Sequence, residues 1–302
     1  MGDNVMQLPL VRQLASRYGE VFLASPWPQL YGELGNVRFL HPATENRELY
    51  GWTHFRENID VQPKSLWVAE ADVPAAAARF YWGSGGDVRQ GINTRLSVTC
   101  PQIALPRRVS THFRLRQDWL ASARAWLDDN VPRGQPRVLL HVPTAPPGVE
   151  LARDARFESF RQVYDEFCNC VAFFDAARVE PGICEPVGQI PMPVFSSFGP
   201  QVTTLWALAA LADAVVTSPC HMGDLAAAFT RPTLLLSGGS LPARRVYDPR
   251  QDLCRLVAVE PEPFCECNLA YHDCHKTLDP QAVRAGFRRV LDLVEADAKC
   301  RR

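Results

Sequence analysis

A chain of 302 residues is long enough for two domains of ordinary size, and its 47% hydrophobic and 22% charged residues are the balance of a globular protein with a full core. A formal net charge of -1 supplies no general attraction for nucleic acid. No apolar run approaches the roughly 20 residues of a membrane span, and the start lacks a basic-then-apolar signal peptide, so a cytoplasmic protein is expected, with peripheral attachment at the inner membrane surface left open.

The chain opens on Gly2-Asp3 and runs into an amphipathic helix, with Val5, Leu8, Val11, Leu14, Ala15 and Tyr18 at helical spacing. Pro9 lies inside that pattern and is expected to distort its first turns. Gly19 ends the helix, and strands are expected at Glu20–Ala24, Val37–Leu40 and Ser65–Val68, with a helix at Pro74–Tyr81. Gly83-Ser84-Gly85-Gly86 lacks the strand-to-helix context of a phosphate loop and reads as a solvent loop. Arg107, Arg108, Arg114 and Arg116 form a basic cluster that reads as a solvated linker face, with contact to an anionic acceptor as the alternative.

A helix is expected over Gln117–Asp129, with Trp119, Leu120, Ala123, Trp126 and Leu127 on one side. The run Val131-Pro132-Arg133-Gly134-Gln135-Pro136 breaks the chain, which sets domains at 1–131 and 137–302. The second half alternates strand and helix: Val138–His141, Phe157–Phe167, Val171–Asp175 and Thr203–Ala212. Alternation in both halves argues for two doubly wound α/β domains. Arg153 and Arg156 precede the helix at Phe157, and a cation beside a positive helix end is unfavourable unless an anion is present.

The most informative stretch is Ala214–Gly239. An unbroken apolar strand, Ala214–Thr217, leads through a turn into a helix near Met222–Phe229, and a second apolar strand, Pro232–Ser237, follows. Unbroken apolar strands suit a parallel sheet covered on both faces. The turn lies at a strand's carboxyl end and a helix N-terminus, a place that favours phosphate. Towards the end, Cys254 and Cys265-Glu266-Cys267 … His272-Asp273-Cys274-His275 gather thiols and imidazoles suited to zinc or iron, or to packing as buried thiols; the ten cysteines otherwise lack the spacing of a secreted disulfide framework. Asp279-Pro280 caps a last helix through about Ala298.

Ala212-Asp213-Ala214-Val215-Val216, Leu225-Ala226-Ala227-Ala228 and Arg231-Pro232 together resemble the pattern of glycosyltransferase family 9, the heptosyltransferases of lipopolysaccharide synthesis. Between them, Thr217-Ser218-Pro219-Cys220-His221-Met222-Gly223-Asp224 replaces the family's Asp-Ser/Thr-Gly turn, and Asp224 stands where the family has His. The resemblance implies a glycosyltransferase B fold: two Rossmann-like domains facing a cleft, acceptor on the first and nucleotide-sugar donor on the second. It makes Asp3 the catalytic base, and the strand that precedes this Gly-Asp pair in the family is missing from the sequence. It puts Arg156 on the donor diphosphate, with Arg153, Thr144, Ser218, His221, Gly223 and Asp224 as further donor-binding residues. No cofactor is required by that scheme. A structural zinc or iron on Cys265, Cys267, Cys274 and His275 is a further expectation, since one branch of the family holds iron with cysteines at this place. The implied partners are a nucleotide sugar and a glycan or lipid-linked acceptor. Two alternatives stay open: a non-catalytic binding or scaffold protein of the same fold, and a transferase directed at protein.

Overall fold

The computed structural model describes residues 5–23, 25, 27–40, 64–74, 110–145, 153–177, 185–186, 188–196, 201–239, 242–243, 255–265 and 276–300. The chain forms two compact units, Met1–Arg114 and Leu115–Arg302. Gly2-Asp3, the glycine loop at 83–86, Arg107, Arg108 and nearly all of the helix expected from Pro74 lie outside the described residues.

In the first unit, helix α1 (Leu8–Arg17) buries Leu8, Leu10, Val11 and Leu14. The helical pattern from Val5 is interrupted by a turn at Gln7, two residues before Pro9, and α1 restarts with Pro9 in its first turn, where no intrahelical N–H is needed. The Asn36 side-chain amide donates to the carbonyls of Ala15 and Tyr18 at 2.8 and 2.9 Å, satisfying acceptors that the helix end leaves open. Strands β1 (Val21–Leu23), β2 (Val37–Leu40) and β3 (Trp67–Val68) form a parallel sheet in that order. Tyr31, Phe39 and Trp67 stack in tilted contacts about its centre, with centroids 6.0 and 5.9 Å apart.

The second unit is built on six parallel strands. In chain order the main elements are α2 (Gln117–Asn130), β4 (Arg137–Leu140), α3 (Phe157–Phe167), β6 (Ala172–Ala177) and β8 (Val194–Ser196), then α4 (Val202–Leu211), β9 (Ala214–Thr217), α5 (His221–Ala228), β10 (Thr233–Leu236), β11 (Leu256–Val259) and α6 (Pro280–Cys300). Two short strands, β5 (Thr144–Ala145) and β7 (Glu185–Pro186), pair antiparallel apart from the main sheet. The main sheet is ordered β8-β6-β4-β9-β10-β11, with every pair parallel. By chain rank this is 3-2-1-4-5-6, the doubly wound dinucleotide-fold order, which turns back between β4 and β9.

The strands are apolar because both faces are covered. On one face, Val138, Leu140, Phe173, Val216, Leu234 and Leu236 form one buried cluster with Phe160, Val163 and Phe167 of α3 and Val283, Phe287, Val290 and Val294 of α6. Gly286 allows α6 to come close: a Cβ there would stand 3.0 Å from Leu234 Cδ1 and 3.1 Å from Val259 Cγ2. The other face carries α2, α4 and α5. Helix α4 is apolar nearly all round and buries eight of its ten residues, as a helix covered on several sides must.

The units divide at Arg114/Leu115 and not at the Pro/Gly-rich 131–136 break. The reason is α2. Its Trp119 meets Trp206 edge-on, and Trp126 packs on Phe174 and Phe195. Asp128 also takes ion pairs from Arg133 and Arg137 across the break. The turn is a real interruption of the chain, yet the helix before it belongs to the sheet that follows.

Phe287 is fully buried, with the ring of Phe167 4.8 Å away and that of Phe173 5.8 Å away. Phe287→Ala is expected to cost about 3–5 kcal/mol, the range for truncating a buried aromatic. Urea unfolding of the purified variant measures this, and a loss below about 1 kcal/mol would show that α6 is not anchored there.

Candidate functional site

Open α/β sheets bind ligands at the carboxyl ends of their strands, where the winding reverses. Here that place lies between β4 and β9. The two strands pair Val138 with Ala214 and Leu140 with Val216, and the His141 N–H donates to the Val216 carbonyl at 2.8 Å. At the opposite end, the Arg137 N–H donates to the Asp213 carboxylate at 2.9 Å, and the Asp213 N–H returns a bond to the Arg137 carbonyl at 2.8 Å. The family-like Asp213 is therefore a clamp on the sheet, at the end away from the switch point.

Ser218 organises the carboxyl end. It is 1% exposed. Its hydroxyl donates to the Leu236 carbonyl at 3.0 Å and accepts from the Ala155 N–H at 3.1 Å. Those bonds tie the turn after β9 to the end of β10 and to the segment before α3. That segment is also held by an antiparallel bridge between Asp154 and Ser237, and by the Gly238 N–H donating to the Arg153 carbonyl at 2.9 Å. Arg156 is the N-cap of α3 and Cys220 the N-cap of α5. The Ala155–Ser218 bond thus sets two helix N-termini beside one another, with their unsatisfied N–H groups and positive dipole ends.

The sequence-predicted donor residues are partly gathered here. Arg156 is exposed at the α3 cap, and Arg153 is exposed, its Nε 3.9 Å from Asp154 Oδ1. His221 is the first, half-buried residue of α5, while Gly223 and Asp224 are buried in its first turn. Thr144, expected in a loop, is half-buried in β5 and paired to Pro186. The Ser218 hydroxyl makes both its bonds within the protein, so a ligand would meet this turn through its backbone. Asp3 lies outside the described residues, as do Cys267, Cys274 and His275; Cys265 is half-buried. Among the described residues no group of three His, Cys, Asp or Glu is placed to hold a metal ion.

Sequence reasoning missed the polar cluster at the switch point. His141 follows β4, and its Nδ1 lies 3.0 Å from Asp175 Oδ1 on β6; the two side chains are 3% and 4% exposed. The same Asp175 oxygen accepts the Ala176 N–H at 2.7 Å. The Cys220 sulfur sits 3.2 Å from Thr217 Oγ1, the residue after the Val216 whose carbonyl takes the His141 N–H, so imidazole and thiol stand near one another. The His221 ring meets the His141 ring edge-on at 5.6 Å. Burial works against a charge on His141, but the Asp175 carboxylate and the Cys220 thiol outweigh it and push the imidazole up to about 10. Burial likewise opposes the Cys220 thiolate, and His141, Thr217 and the Met222 N–H outweigh it and bring the thiol below its usual value. The readable signal was a polar residue in or just after each apolar strand: His141 after β4, Asp175 within β6, and the Cys220 turn after β9.

Two outcomes follow from this geometry. Ser218→Ala leaves a buried N–H and a carbonyl without their partner, and is expected to cost about 1–3 kcal/mol in denaturant unfolding; a neutral effect would mean that water replaces the hydroxyl. Because the folded-state value of His141 is raised, its contribution is fully present below about 6.5 and lost as pH rises through about 10. The Tm deficit of His141→Gln should therefore be larger at pH 7 than above pH 10, and an unchanging deficit would refute the charged pair.

No family model matches the chain, and no curated protein matches it by sequence. Solved structures do match. The ADP-heptose lipopolysaccharide heptosyltransferase II of E. coli is 11% identical with a TM-score of 0.59, over 97% of this chain and 96% of that one. A glycosyl transferase family 9 protein from Veillonella parvula is 12% identical with a TM-score of 0.58, over 96% and 94% of the two chains. The E. coli heptosyltransferase WaaC, solved with ADP-2-deoxy-2-fluoro heptose, is 12% identical with a TM-score of 0.50, over 95% and 96%. Over nearly its whole length, the chain has the α/β fold with parallel sheets of the family 9 heptosyltransferases.

Proposed function

We propose that the protein is a glycosyltransferase that moves a sugar, a heptose in the leading case, from a nucleoside diphosphate sugar to a lipopolysaccharide or other surface-glycan acceptor. The observation that carries this reading is the joining of the α3 and α5 N-termini at the switch point, with Arg156 exposed at the α3 cap. A diphosphate has two needs there, N–H donors and a compensating charge. The helix ends offer the first. Arg156 offers the second through a planar fork that matches phosphate oxygens, and it has no ion pair among the described residues. The heptosyltransferase WaaC, which shares the fold, was solved with an ADP-sugar analogue, and that supports ADP-heptose as the first donor to test.

The chemistry follows from charge. Breaking the sugar–phosphate bond leaves negative charge on the diphosphate, and groups placed in advance lower that barrier most. Arg156 and the two sets of backbone N–H groups would do this without a catalytic metal. The acceptor hydroxyl needs a base, which the resemblance assigns to Asp3.

Calorimetric titration with ADP and ADP-heptose tests the reading. Arg156→Ala should weaken binding about tenfold or more, since hydrogen bonds to charged groups contribute about 1.5–3 kcal/mol. Arg161→Ala, on the exposed face of α3 and paired with Asp165, should leave affinity unchanged. Failure of every ADP-, GDP- and UDP-sugar to bind would replace this reading with that of a non-catalytic binding protein of the same fold.

A further inference from the structure

The switch point holds a second set of groups that the donor reading leaves unused. Cys220, His141 and Asp175 stand in the order nucleophile, base and orienting carboxylate. Asp175 is fixed by the Ala176 N–H at 2.7 Å and holds His141 Nδ1 at 3.0 Å. The His141 N–H bonds the Val216 carbonyl and the His141 ring meets the His221 ring at 5.6 Å, which sets the imidazole beside the Cys220 turn, where it favours the thiolate. Thr217 Oγ1, 3.2 Å from the sulfur, adds a third partner. Cys220 also caps the N-terminus of α5, a position that favours an anionic sulfur. Cys220 is half-buried as a residue, whereas the His141 and Asp175 side chains are nearly fully enclosed. A cysteine that merely filled space would not need a buried ion pair behind it.

We propose that Cys220 is a nucleophilic modification site, activated by His141 and Asp175, which reacts with disulfides of small thiols and with other soft electrophiles. In the disulfide case, the Cys220 sulfur attacks one sulfur of RS–SR. A Cys220–SR bond forms, the RS–SR bond breaks, and its electron pair leaves on RS⁻, which takes a proton from water. Cys220 is oxidised to the mixed disulfide, and the small disulfide is the oxidant. The added group then stands at the mouth of α5. If the donor reading is right, it occupies the diphosphate's place, which would make donor binding sensitive to thiol redox state.

The charged and titratable groups on the elements packed around the thiol are His141 beyond β4, Asp175 of β6, Arg153, Asp154 and Arg156 before α3, and His221 and Asp224 of α5; β9 contributes none. The test is labelling of the full chain by 2,2′-dithiodipyridine between pH 5 and 9, with each cysteine followed by peptide mass spectrometry. No nucleotide is added, so this proposal and the donor reading fail separately. Cys170 and Cys300 are exposed and serve as internal references. At pH 6, Cys220 should react at least tenfold faster than either, on a flat profile where theirs rise with pH. His141→Gln should remove most of that excess and restore a rise near the ordinary thiol range of about 8.5. Reaction of wild-type Cys220 no faster than Cys170 and Cys300 at pH 6 overturns the proposal, whether or not the variant folds. So does a His141→Gln variant that folds and keeps the full excess.

Discussion

The pairing of β4 with β9 is the constraint on which the second unit depends. The chain winds outward from β4 through β6 to β8, returns through α4, and winds the other way from β9. A crevice exists only where those two directions meet. The reciprocal bonds between Arg137 and Asp213 set the register at one end, and the His141–Val216 bond carries it to the other. A slip of β9 by one residue would turn Ala214 and Val216 away from α3 and α6. It would also separate His141 from the turn after β9. Core and crevice therefore share a single register.

The carboxyl edge is held from within by Ser218. A hydroxyl suits the task because it can donate to the β10 carbonyl while accepting the N–H before α3. A residue expected to touch a donor thus shapes the place where a donor would lie. Asp213 shows a similar division. In the sequence it marks the family-like pattern, and in the structure it is a backbone acceptor at the far end of the sheet.

Legibility from sequence followed burial. Phe157–Phe167 and Ala214–Thr217 are read to the residue, because α3 shows a clean helical stripe and β9 is apolar throughout. The edge strand β11 was missed: Leu256–Val259 is an apolar run of four, but it is covered on fewer sides and carries no turn signal. Strands β5, β7 and β8 are too short for any period to show. The boundary moved because Trp119 and Trp126 look like any amphipathic stripe until Trp206 and Phe174 are known to face them. The His141–Asp175–Cys220 cluster was invisible for the same reason. Its members lie 34 and 45 residues apart along the chain, and only the strand order makes them neighbours.

The position of α2 has a consequence for how the protein is made. Translation delivers Trp119 and Trp126 before any strand of the second sheet, and Trp206 emerges 87 residues after Trp119. At elongation speeds of about 5–20 residues per second, the nascent helix carries two uncovered indoles for several seconds. Every pause in synthesis between residues 131 and 206 lengthens that exposure.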